Sequence, residues 1–195
     1  MFEGIDTVVL HDELALDDML SCAWQALSEP LSIAVRSRYA EINTRVLQAA
    51  FAFDDQVAGD KSDDPVPQAA DLVRLDAKLN LLIDMVGRLL IQNYPRPPLT
   101  SVRFNIRGAT WSPANVDECQ LNSTGTFEVY LQDYLVDPLR LIGTVTSRTA
   151  HRVDLKFEQS PEAIASLLEK YIFRRHRRKV ADVKKPTASV VRRSR

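Results

Sequence analysis

The sequence predicts an α+β fold: N-terminal helices that include a heptad coiled-coil helix, then a small antiparallel β-barrel, then a C-terminal helix. Three observations lead there. Apolar residues recur at helical spacing from Asp17 to about Asn93, alternate with polar ones from Leu99 to about Glu158, and return to helical spacing from Ser160 onward. With 45% hydrophobic residues and 25 Lys+Arg against 26 Asp+Glu, the 195-residue chain can fill a core and is neither fibrous nor disordered in composition.

The first helical zone carries Val35, Tyr39, Ile42, Val46, Ala49 or Ala50 and Phe53 on one face. Ahead of it, Thr7-Val8-Val9-Leu10 offers a strand at about 5–10. The stretch Asp54 to Gln68 (DDQVAGDKSDDPVPQ) is acidic, interrupted by Gly59, Pro65 and Pro67, and has little to bury, so a mobile linker is expected over 54–70. A heptad helix over 71–91 follows. Leu72, Leu75, Leu79, Leu82, Val86 and Leu89 step by 3 and 4 in alternation, an unbroken a/d seam. The two helices are expected to pair as an antiparallel hairpin. Ile83, Met85 and Leu90 widen the apolar band beyond what one partner helix covers, which points to a multi-helix bundle between chains. Residues 1–94 therefore read as a helical and oligomerisation region.

Residues 95–182 read as a barrel with its closing helix. Ser101 to Thr110 (SVRFNIRGAT) alternates Val102, Phe104 and Ile106 against Arg103, Asn105 and Arg107, as a half-buried strand ending at a glycine does. TFEVYLQ, LRLIGTVT and RVDLKF repeat the pattern, and closing such a meander removes its edges. Ser160-Pro161-Glu162 is a helix start, with Ile164, Leu167, Leu168, Tyr171 and Ile172 on one face. Residues 174–195 carry nine net positive charges, leaving ten net negative charges on residues 1–173. Residues 183–195 read as a flexible basic tail.

Chemistry is sparse. His11, His151 and His176 have no Cys, His or carboxylate partner at ligand spacing, so no metal is expected. No nucleophile elbow, Walker loop or dinucleotide glycine run occurs, and no catalytic residues are assigned. Cys22 and Cys119 are too few for a disulfide framework. The N-terminus has no basic region ahead of an apolar stretch, and no window approaches the roughly 18 apolar residues of a membrane span. The expected setting is cytoplasmic.

The succession of DLVRLDAKLNLLIDMVGRLL, the hinge YPRPPL, SVRFNIRGATW, GTFEVYLQ, LRLIGTVTS, RVDLKFEQ and EAIASLLEKYIFRRHRRKV resembles the bacterial PilZ family, and within it the atypical, tetramer-forming branch. The resemblance covers about residues 70–180. It implies a six-stranded barrel that recognises cyclic di-GMP through an Arg-x-x-x-Arg ahead of the barrel and an Asp/Asn-x-Ser-x-x-Gly on the following strand. Two guanidiniums clamp phosphates and stack on guanine, while the acid and hydroxyl take guanine-edge hydrogen bonds. Here that motif is degenerate. Arg103 stands at the Asp/Asn place, Asn105 at the Ser place, and only Gly108 matches; the hinge offers Arg96 alone, with Arg88 eight residues earlier.

A second Arg-x-x-x-Arg, Arg174 to Arg178, lies after the barrel, where cations offset the negative end of a helix and are also conceivable phosphate contacts. Arg103 and Arg107 read as the solvent face of a strand. Trp111 either caps the core or stacks on a base, and the core reading is preferred. The expected function is a non-enzymatic signalling adaptor of the cyclic-di-GMP network, a homotetramer acting through protein partners, with no cofactor and weak or absent nucleotide binding. An unconventional receptor, or nucleic-acid binding through the basic terminus, is the alternative. Against nucleic acid stand the acidic body and a basic run without interleaved surface aromatics.

Overall fold

Six strands close into one antiparallel barrel in a computed structural model that describes residues 14–58, 74–75, 77–79, 81–83, 85–87, 89, 95–133 and 135–183. In chain order these elements are β1 (Leu16–Ala26), α1 (Ile33–Ala58), β2 (Leu99–Phe104), β3 (Gly108–Trp111), β4 (Thr124–Tyr130), β5 (Leu139–Arg148), β6 (Val153–Phe157) and α2 (Glu162–Val183). The strands neighbour one another in the cyclic order β1-β2-β3-β6-β5-β4. Val102, Phe104, Trp111, Phe127, Val129, Leu139, Val145 and Val153 point inward and are fully buried.

Three sequence expectations are corrected here. The strands do not run as a meander, since β3 pairs with β6 and β4 with β1. The zone read as helical from Asp17 begins instead with β1. Leu16, Met19, Leu20, Ala23 and Trp24 fit a helical period, but Leu16, Leu20 and Cys22 are the buried ones, which is strand alternation. Its first half pairs with β2 (Leu16↔Phe104 to Ser21↔Leu99) and its second half with β4 (Cys22↔Val129 to Ala26↔Gly125). Likewise SVRFNIRGAT is not one strand but a hairpin, β2 and β3, that reverses at residues 105–107. The 5–10 strand lies outside the described residues, and α1 continues to Ala58, into the stretch expected to be a linker.

Aromatic rings fill the barrel. Trp111 lies 5.2 Å from Phe127 and 6.5 Å from Trp24, and Phe127 stacks on Phe157 at 5.9 Å, so Trp111 belongs to the core. Gly125 admits the Trp24 indole, since a Cβ there would meet Trp24 Cζ2 at 2.4 Å.

Helix α1 starts at Ser32, whose hydroxyl accepts from the Val35 amide, and turns its apolar face toward α2 and β5. Ile42, Val46, Leu47 and Ala50 share a core with Ile164, Leu168, Tyr171 and Ile172 of α2, where Phe51 meets Tyr171 edge-on at 6.3 Å. One polar residue sits inside this contact. Asn43, 4% exposed, donates through Nδ2 to the Arg140 carbonyl (2.7 Å) and accepts at Oδ1 from the Arg140 amide (2.8 Å), pairing the helix to the start of β5.

Replacing Asn43 with Ala leaves a donor and an acceptor of β5 without partners, so Asn43→Ala should cost about 2–4 kcal/mol in urea denaturation. A loss under about 0.5 kcal/mol, the scale of a surface change, would mean that water replaces both bonds. Burial also pushes the thiol of Cys22 up from 9.0 to about 12 and that of Cys119 from 9.0 to about 11. Both thiols are therefore neutral at pH 8 and should resist thiol reagents until the chain unfolds. Because the folded values lie above the unfolded one, this contribution to stability is complete below pH 9 and falls as the pH rises from about 9 toward 12.

Candidate functional site

The degenerate motif lies on the β2–β3 hairpin, and its residues serve the turn itself. Asn105 is 2% exposed; its Oδ1 accepts from the amides of Arg107 (2.8 Å) and Gly108 (3.1 Å), and its own amide donates to the Gly108 carbonyl (3.0 Å). This side-chain turn closes the hairpin. The oxygen that would face a ligand edge is committed to two backbone donors.

Gly108 is required by packing. It stands opposite Lys156 where β3 crosses β6, and a Cβ there would lie 2.3 Å from the Leu155 carbonyl oxygen. Any side chain would force the strands apart, so the glycine has a structural reason to be there with no ligand involved. Arg103 is half-buried on β2, with Asp17 opposite it on β1, and the Arg107 carbonyl takes the Phe157 amide at 2.7 Å. Asn105 and Gly108 are thus joined within the hairpin turn, while Arg103 lies on the strand leading into it, opposite Thr110 of β3.

Beside the turn runs a groove of about 550 Å³ between the hairpin and the first half of α2. Leu14, Ile106 and Phe173 form its apolar wall, with Arg107, Lys170 and Glu169 as charges along it. Arg174 and Arg178 are not among its lining residues. Arg174 lies over the Phe51 ring at 5.0 Å, on the side of α1, and Arg178 is half-buried. Two other cations of α2 hold β1: Arg175 meets Asp18 at 3.2 Å, and Lys179 Nζ donates to the Asp17 carbonyl. Asp17 and Asp18 were not singled out in the sequence, although an acidic pair on a strand opposite a basic helix end is a readable signal. Phe173, just ahead of the basic run, is 50% exposed with Arg177 over its ring at 5.9 Å.

The hinge arginine is also engaged. Arg96 donates to the carbonyls of Gln132 (3.2 Å) and Leu135, and its guanidinium lies 4.9 Å over the Tyr130 ring. Of the seam residues, Leu72 lies outside the described residues. The described residues between 74 and 89 are helical, and Leu75, Leu79, Leu82, Val86 and Leu89 are each 45–58% exposed, with Leu81 and Met85 beside them at 59% and 54%. Among the described residues no group of His, Cys, Asp and Glu could hold a metal ion, and no helix is long and apolar enough to cross a membrane.

A family model described as atypical PilZ domain, cyclic di-GMP receptor, matches residues 47–185, from within α1 through strands β2 to β6 and α2, with β1 ahead of the match. Among solved structures the chain is similar to a pathogenic protein from Xanthomonas campestris, described as a new tetrameric PilZ domain self-assembled via an unusual helical bundle. The TM-score is 0.67 at 25% identity, with 91% of this chain and 95% of that chain covered. No curated protein matches the sequence. A family match over well more than half the chain, and a six-stranded barrel flanked by helices, establish that the chain belongs to the atypical PilZ domain family of cyclic-di-GMP receptors.

Proposed function

We propose that this chain is a non-enzymatic signalling adaptor of the bacterial cyclic-di-GMP network, working in the cytoplasm as a homotetramer that touches protein partners and binds the nucleotide weakly or not at all. The observation that carries this reading is Asn105: the one amide at a guanine-recognising position is buried and accepts two backbone hydrogen bonds. Gly108 answers to the Leu155 carbonyl, and Arg96, the hinge arginine, answers to the 132–135 loop. With two charge-assisted contacts of roughly 1.5–3 kcal/mol each missing, affinity is expected to fall by about two to four decades from that of an intact site.

One observation favours the alternative of an unconventional receptor: the groove beside the hairpin, with Arg107 and Lys170 along an apolar wall. Isothermal titration with cyclic di-GMP separates the two. The adaptor reading expects no saturable binding below about 100 μM, against the low-micromolar range of an intact site. A low-micromolar isotherm abolished by Arg107→Ala or Lys170→Ala would establish a receptor at the groove, and one abolished by Arg103→Ala or Arg178→Ala a receptor outside it. Nucleic-acid binding is weakened as a reading because Arg175 and Lys179 already engage β1. It would return if the chain bound DNA or RNA tightly with a steep salt slope.

The proposed assembly rests on the seam. Leucines that are half-exposed in one chain, together with Leu81 and Met85 beside them, form a band that a bundle of copies would bury. Leu79→Asp would put a carboxylate in that interface at a cost of several kcal/mol. Light scattering should then show smaller species with the barrel still folded, and retention of the wild-type mass would mean that the seam does not join chains.

A further inference from the structure

The connection from the seam to the barrel is Pro95-Arg96-Pro97-Pro98, followed at once by β2. Three of these four residues have no amide hydrogen, so the backbone can donate almost nothing to hold the segment in place. The prolines restrict φ, and Pro97 and Pro98 bias the residues before them toward extended backbone, which makes the segment stiff along its length. Stiffness alone does not set its direction against the barrel.

The Arg96 side chain supplies the missing donors. It is 13% exposed, bonds the Gln132 and Leu135 carbonyls, lies 3.9 Å from Asp133 and covers the Tyr130 ring at the end of β4. The turn it grips is itself closed by the Leu135 amide on the Gln132 carbonyl at 3.3 Å. A planar guanidinium can bridge two carbonyls while lying on a ring, which an ammonium cannot. Burial, with a further contribution from the nearby Glu128, pushes the Tyr130 phenol up.

We infer that Arg96 is a positioning residue that locks the heptad helix to the barrel in one direction, turning the hinge of this fold into a rigid joint whose anchor is the β4–β5 loop. The inference stands on the reading that the 71–91 helix is the assembly element, because only then does the joint set how the barrels are presented to partners.

The full-length chain carrying Ala77→Cys on the helix and Ala150→Cys on the β5–β6 turn, both exposed positions, reports the joint directly. Cys22 and Cys119 are buried with raised thiol values and should escape labelling. After spin-labelling and dilution with unlabelled chain, electron resonance gives the intramolecular helix-to-barrel distance distribution. A narrow distribution is expected, and Arg96→Ala should at least roughly double its width while mass and circular dichroism stay the same. Exchange of the Leu135 amide should quicken by about tenfold. Arg96→Lys, which keeps charge but not the fork, should also broaden the distribution, and it decides the matter if Arg96→Ala does not fold. An unchanged width in the folded variants, or a wild-type distribution that is already broad, would overturn the joint. A monomeric wild-type mass would instead sink the assembly reading and leave the distance test of the joint intact.

Discussion

Closure of the barrel by β1 is the constraint on which the rest of the structure depends. Its first half is paired with β2 and its second with β4, so one strand completes the ring from both sides. Because β1 and β2 are neighbours in space but separated by residues 27–98, everything between them must leave the barrel at one strand and return at the next. Helix α1 and the seam are carried on that excursion. The fold thus needs one strong attachment for α1, which Asn43 and the α2 contact provide, and one for the returning chain, where Arg96 sits.

The same logic accounts for the state of the ligand motif. A small barrel leaves few places where a polar side chain can do two tasks at once, since buried backbone donors must be paired. At the β2–β3 turn Asn105 meets that demand for Arg107 and Gly108. At the crossing of β3 and β6 the close approach of the Leu155 carbonyl demands glycine. Asn105 and Gly108 thereby each have a task within the barrel itself.

Much of this was legible in the sequence because periodicity speaks where one face is buried. Strands β4, β5 and β6 follow from alternation, and the start of α2 just after Pro161 from the Ser160-Pro161-Glu162 signal and the helical stepping behind it. Strand β1 was not legible: Leu16, Met19, Leu20, Ala23 and Trp24 satisfy both periods, and a partner lying some eighty residues away decides between them. The β2–β3 turn was hidden because Asn105-Ile106-Arg107 continues the alternation through the reversal. Arg96 was visible as a hinge arginine, but its partners are carbonyls of a distant loop, which no local pattern announces. The degenerate motif was readable residue by residue, whereas its structural employment was not.

The central claim is that the excursion between β1 and β2 carries the surface by which copies of the chain meet. In one chain the described leucines of that seam remain about half exposed, while Leu47 of α1 and Leu168 of α2 are buried. Sedimentation equilibrium of the unmodified full-length chain over a hundredfold range of micromolar concentrations tests this most directly. The account predicts a single species of four times the 22.0 kDa chain mass at all but the lowest loading. A species of one chain mass across the whole range would contradict it.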